Sequence, residues 1–195
     1  RYVLTFDNKS MRRAASSAPY EFIEILTNTE VYGGGGIYGL FSTAAANSYW
    51  APYLFVHEFG HHFAGLADEY YTSPVEYLPP EEIVEPYEPN VTALLDPDDL
   101  KWKQLVTEGT QLTTLWPKEQ YEEYMHEYQN VRAELRASDA PDHEIDELFI
   151  DARDFVDELF SDVEHNDAIG AFQGANYDAK AYYRSEMNCL MFTRT

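Results

Sequence analysis

His57-Glu58-Phe59-Gly60-His61-His62-Phe63-Ala64-Gly65-Leu66-Ala67-Asp68-Glu69-Tyr70 is the stretch on which the rest of the chain depends. It contains H-E-x-x-H, two histidines four residues apart. On a helix that spacing puts both imidazoles on one face. Two imidazoles so placed can hold one zinc ion, each through a ring nitrogen at about 2.0–2.1 Å. Glu58 follows the first histidine and points to the side. Its carboxylate can reach a water at the metal without taking a coordination position. The metal lowers the pKa of that water to about 7, and the carboxylate takes its proton as it attacks a carbonyl. The chemistry implied is hydrolysis of a peptide bond, with Zn2+ as cofactor, Glu58 as general base and a protein or peptide as substrate.

The surroundings suit a buried active-site helix. Pro52-Tyr53-Leu54-Phe55-Val56 precede the motif as an apolar run. The helix is expected from Ser48 or Trp50 to Ala64, with Tyr53, Val56, Gly60 and Phe63 against a sheet and His57 and His61 on the cleft side. His62 lies about 100° round from His61, which suits a surface or packing role. Gly65 permits the helix to stop and the chain to turn back. A catalytic zinc needs three protein ligands and one open position. Metzincin peptidases extend the motif to H-E-x-x-H-x-x-G-x-x-H. Here the glycine comes one residue late and the last position is an acid, H-E-x-x-H-x-x-x-G-x-x-D. Asp68 is the leading candidate for the third ligand because the early glycine turn favours a local group. Glu69 and a glutamate from a downstream helix are the alternatives.

Taken with other segments, this run resembles the IgA-peptidase family of bacterial zinc metallopeptidases, through the pattern H-E-F-G-H-x-F-A-G-L-x-D-E-Y. Agreeing pieces are Asp7-Asn8-Lys9 to Pro19-Tyr20, the glycine run Tyr32 to Tyr38, Glu85-Pro86-Tyr87-Glu88-Pro89-Asn90-Val91-Thr92, and the tail from Gly174-Ala175-Asn176-Tyr177 through Tyr183-Arg184 to Cys189-Leu190-Met191. Residues 1–103 and 170–193 carry the resemblance, and 104–169 show no specific motif. The resemblance implies secretion or a cell-surface or periplasmic location, zinc and proteolysis, and an additional β-rich N-terminal domain ahead of the catalytic one. It also implies that Met191 forms the apolar floor beneath the ligands that metzincins build from a tight methionine turn, with Met187 as second candidate. Position 193, where some metzincins carry a tyrosine, is Thr193. Tyr183 is a candidate oxyanion donor.

With 195 residues and 45% hydrophobic content, the chain is long enough for one catalytic domain with a proper core. The expected division is an upper part, 1–70, holding the active-site helix, and a lower part, 71–195. A net charge of −22 argues against nucleic acid and anionic membrane surfaces as partners. No apolar run reaches the roughly 18 residues of a membrane helix. A lone Cys189 excludes an internal disulfide framework. The chain opens at Arg1 in what reads as mid-domain, so it is expected to be a fragment of a longer secreted precursor.

Taken in order, residues 2–6 are expected as a strand, 9–17 as a helix and Tyr20 to Leu26 as a central strand. Gly33 to Gly36 read as a glycine loop. It lacks the Lys and Ser or Thr of a phosphate-binding loop, so close approach of a substrate backbone is the sharper reading. Ile37 to Thr43 read as a strand; the resemblance to metzincin-like enzymes implies that it lies at the sheet edge, with residues 37–42 expected to pair with substrate by strand addition. Residues 71–100, rich in Pro and acids, read as a long irregular segment. Within it, Asn90-Val91-Thr92 fits a glycosylation pattern that a bacterial origin would make irrelevant. Asp96-Pro97-Asp98-Asp99 lacks the full spacing of a calcium loop.

Residues 117–137 and 141–164 show apolar stripes at helical spacing and first-turn prolines, forming a helical hairpin, 117–164. Residues 121–167 carry sixteen Asp and Glu against three Arg. That charge reads as a solvated face, or alternatively as an acidic wall favouring cationic substrates. The fold expected is α/β and zincin- or metzincin-like. A twisted mixed sheet backs the active-site helix, above a mainly helical and irregular lower half. The alternative function is a non-catalytic secreted binding module that keeps a zinc site.

Overall fold

A computed structural model describes residues 3–73 and 82–194. It is a mixed α/β structure with two compact units, Arg1–Leu66 and Ala67–Thr195.

The first unit begins with α1, Asn8–Ala15. The Asp7 side chain caps it by accepting the Ser10 N–H, and Arg12 and Arg13 lie in the last turn, where positive charge suits the helix dipole. Three strands follow: β1 (Glu24–Thr27), β2 (Gly34–Ile37) and β3 (Phe41–Ala45). Their order is β1-β3-β2, with β1 parallel and β2 antiparallel to β3. All five residues of β3 are buried. Small side chains, Ser42, Thr43, Ala44 and Ala45, make up four of its five positions.

Several expectations change here. Tyr20 to Leu26 is not a central strand: β1 starts only at Glu24 and lies at the sheet edge. Gly33 to Gly36 is not a loop, because Gly34–Ile37 is paired in register with β3. Ile37 to Thr43 is not one strand but the last residue of β2, the turn of the β2–β3 hairpin and the first three residues of β3. Gly39 takes φ 67° in that turn. Since β3 is paired on both sides, residues 41–42 cannot act as an edge for substrate. Of the strand expected over 2–6, residue 2 lies outside the described residues. Residues 3–6 form no strand; Val3 donates a single backbone bond to Gly34 O at 3.3 Å.

The glycines of β2 have a packing reason. Gly34 and Gly36 alternate onto the face that meets α2 (Ala51–Phe59) and the π-helical turn after it (Gly60–Ala64). A Cβ at Gly34 would stand 2.8 Å from both Cγ and Oε1 of Glu58. One at Gly36 would collide with Glu58 O and the His61 Cβ. The bare backbone of β2 thus lets the sheet press directly on the helix.

The second unit holds β4 (Val91–Thr92), β5 (Phe172–Ala175) and β6 (Asp178–Arg184), antiparallel in the order β4-β6-β5. Helices α3 (Lys118–Ala137) and α4 (Asp142–Ser161) form the expected antiparallel hairpin. Along its seam Tyr124 stacks on Phe155, and Tyr128 meets Phe149 at a tilt of 41°. Pro117 and Pro141 are the N-caps rather than first-turn residues. The core gathers Tyr71, Tyr121, Val156, Phe160, Phe172, Met187 and Phe192. Arg184, with no exposed surface, is held among them. Its guanidinium lies 3.6 Å from the Phe192 ring centre and donates to Gly174 O at 2.7 Å and Met187 O at 2.9 Å. The described part of 71–100 is largely irregular, with β4 and a short 3-10 turn, Pro97–Asp99; Pro74, Pro79 and Pro80 fall outside the described residues. Among the described residues, no helix is long and apolar enough to cross a membrane.

Candidate metal centre

Residues 51–64 form one helical run, as the motif requires. Pro52 occupies its first turn, where a missing N–H costs nothing. The last turn widens to π form over Gly60–Ala64, and Gly65 ends it in the left-handed region at φ 64°. Gly65 N donates to His61 O at 3.1 Å. The stop expected at this glycine is present.

His57, buried at 5% exposure, and His61 face each other, with their Nε2 atoms 3.2 Å apart and ring planes crossed at 87°. Two nitrogens on one tetrahedral zinc, each at about 2.05 Å, would stand about 3.3 Å apart. The separation and the crossed planes fit a shared ion. Glu58 completes the group: one ligand atom from each of the three residues lies within 4.8 Å of the others. It is the only such cluster of three found among the described residues, and His126, His143 and His165 belong to none.

Both imidazoles are held from behind. His61 Nδ1 is 2.6 Å from the Leu66 carbonyl, which can only accept, so that nitrogen carries the proton. His57 Nδ1 is 3.2 Å from the Tyr53 hydroxyl. Tyr53 was expected on the sheet side and is instead a neighbour of the cluster. The i−4 spacing from His57 was the signal for it. Val56 and Phe63, also expected on the sheet, are 49% and 55% exposed. His62 takes the packing role: 2% exposed, it joins Ile37 O at 3.2 Å to the Ile23 N–H at 3.5 Å and meets Phe22 and Phe59 edge-on.

Asp68 and Glu69 belong to the second unit. Asp68 is half-buried, and its carboxylate accepts from the Tyr177 hydroxyl. Its backbone carbonyl accepts from Asn176 N, at the tip of the β5–β6 hairpin. Glu69 is 2% exposed. Asn90 Nδ2 donates to one of its oxygens at 2.9 Å and the Cys189 thiol to the other at 3.0 Å. Burial raises its carboxyl above the usual range, against the opposing pull of Cys189, Asn90 and Arg184. Asn90 also clasps Ala67, accepting from its N–H and donating to its carbonyl. Sequence reasoning placed Asn90 in a family-like segment and a glycosylation pattern, with no role for its side chain. Met191, 5% exposed, sits in a tight turn closed by Phe192 N to Cys189 O, and its carbonyl accepts the Glu69 N–H at 2.8 Å. Tyr183 lies on β6, its hydroxyl 3.4 Å from Gln173 Nε2.

A family model described as IgA Peptidase M64 matches residues 1–195. The chain belongs to the M64 family of IgA peptidases. The match takes in 104–169, where no motif was recognised, so the acidic hairpin of this M64 chain is part of the family domain. Membership implies a metallopeptidase acting on proteins or peptides, and the His57-Glu58-His61 group is able to bind its metal. No curated protein matches the chain.

Proposed function

We propose that the chain is a secreted, zinc-dependent endopeptidase with Glu58 as general base. The observation that carries this reading is the facing pair of Nε2 atoms, 3.2 Å apart, with a carboxylate beside them. A zinc ion held there would supply Lewis acidity to the scissile carbonyl and to the attacking water. His57 and His61 would hold it as neutral imidazoles. Glu58, in the same group, accepts the proton of the attacking water and passes it to the leaving amine. The backbone of Gly34 lies against that carboxylate, which narrows the space in which it can turn.

Asp68 is proposed as the third ligand on the spacing of the motif, H-E-x-x-H-x-x-x-G-x-x-D, in which it follows Gly65 by three residues. The tight turn at 189–192 supports Met191 as the methionine of a metzincin-type floor. If an extended peptide adds to the first unit's sheet, its partner is β1 or β2, since β3 has no open side.

The test is cleavage of casein or a peptide library with and without a chelator, alongside metal analysis. Bound zinc and cleavage abolished by chelation and restored by zinc are expected. Zinc without any cleavage would leave a binding module in place of the enzyme.

A further inference from the structure

Both nitrogens that face across the cluster are Nε2. A neutral imidazole has one N–H and one lone pair. For both lone pairs to meet one ion, each ring must carry its proton on Nδ1. In His61 the Leu66 carbonyl enforces this, since a carbonyl has no proton to give. That acceptor is main chain, and no side-chain substitution removes it. At His57 Nδ1 stands the Tyr53 hydroxyl, at 3.2 Å.

We propose that Tyr53 is a positioning residue for the metal: its phenol oxygen accepts the His57 Nδ1–H and holds that ring in the tautomer and rotation that present Nε2. The inference rests on the metal-site reading of His57 and His61. Geometry supports it from two sides. Tyr53 lies one helical turn before His57, so α2 itself sets the separation. The Tyr53 ring also lies tilted on the imidazole, centres 5.3 Å apart at 32°, and meets the Trp50 ring edge-on at 6.4 Å. The phenol is therefore braced between an indole and the ring it orients. The two histidines are unequal: one is tied to backbone, the other to a removable oxygen. Loss of such an outer partner typically weakens metal affinity by about 10–100-fold.

The experiment compares the full chain with Tyr53→Phe, which keeps the ring and deletes the oxygen. Zinc affinity is read by chelator competition, and the His57 Nδ1–H by 15N NMR of the zinc-loaded protein. Expected are a drop in zinc affinity of about 10–100-fold and a His57 Nδ1–H that exchanges faster with water. Unchanged affinity in Tyr53→Phe overturns the inference and leaves the metal site standing. If the variant is also less heat-stable, the NMR signal decides: a His57 Nδ1–H that exchanges no faster than in the unchanged chain overturns the role, and faster exchange supports it. Should wild type bind no zinc, or bind it equally after His57→Ala, the metal-site reading itself fails.

Discussion

Gly36 and His61 are in such close contact that no side chain fits between them: a Cβ on Gly36 would overlap the His61 Cβ and the Glu58 carbonyl. Both obstacles are parts of the helix that cannot swing away. Gly36→Ala is therefore expected to push β2 off the helix, at about 1–3 kcal/mol by analogy with overpacked cores. Urea unfolding measures it. Gly39→Ala is the control, where the added carbon meets nothing but the backbone is left-handed, so strain of about 1 kcal/mol is expected. Equal losses in both would show that β2 is not pressed on the helix.

Glu58→Gln keeps the shape of the side chain but cannot take a proton. Retained zinc and a fall in hydrolysis of about 10²–10⁴-fold are expected. Metal analysis and peptide cleavage on the same sample check it; full activity would remove Glu58 from the mechanism.

Lys101 holds a segment of the second unit together. Its ammonium donates to the carbonyls of Pro86, Glu88 and Val91 and pairs with Glu85 at 3.0 Å. Lys101→Met leaves those acceptors to whatever water can reach them. Because the side chain is partly exposed, we expect a loss of about 1–2 kcal/mol rather than the full cost of burying them. Lys101→Arg should not restore the loss, since a flat guanidinium cannot serve a cage built for an ammonium. Thermal melts of the three proteins decide it.

Glu69 should tie stability to pH. Burial raises its carboxyl above the ordinary 4.5, so the folded state holds this proton more tightly than the unfolded chain. Its contribution is complete below 4.5 and declines as pH climbs past that value. Glu69→Gln removes the dependence. Relative to wild type, the variant should compare better at pH 7 than at pH 4 in chelator-treated unfolding curves. A difference that moves the other way with pH would show that Arg184 outweighs burial.

What the sequence made legible was whatever carries a period or a fixed spacing. The stripes through Tyr121 and Tyr128, and through Phe149, Ala152, Val156 and Phe160, announced α3 and α4, and those residues are buried. The pair His57 and His61 announced the metal-binding face. Strands β2 and β3 were opaque for physical reasons. Glycines have no side chain with which to alternate, so Gly34–Gly36 read as a loop. Ser42, Thr43 and Ala44 look polar or neutral, yet they are buried because a central strand between close layers needs small groups. The roles of Tyr53 and Asn90 rest on single polar atoms. Tyr53 at least kept a helical spacing from His57. Asn90 reaches Ala67 and Glu69 over more than twenty residues, and nothing local marks that.

The core of the second unit joins residues far apart along the chain. Tyr71 stacks near Phe192 with ring centres 6.3 Å apart, although about 120 positions separate them. The sheet of the first unit closes by contrast over short separations, Glu24 with Ser42 and Ile37 with Phe41. Long loops must be closed before distant contacts repay the lost freedom, so such topologies assemble slowly. On a ribosome, the first unit can acquire its shape while the second is still waiting for its final segment to emerge. A polypeptide released before Phe192 is made would carry the histidine pair but lack one wall of the interior beneath Tyr71. Premature termination products are therefore expected to be soft targets for cellular quality control rather than stray proteases.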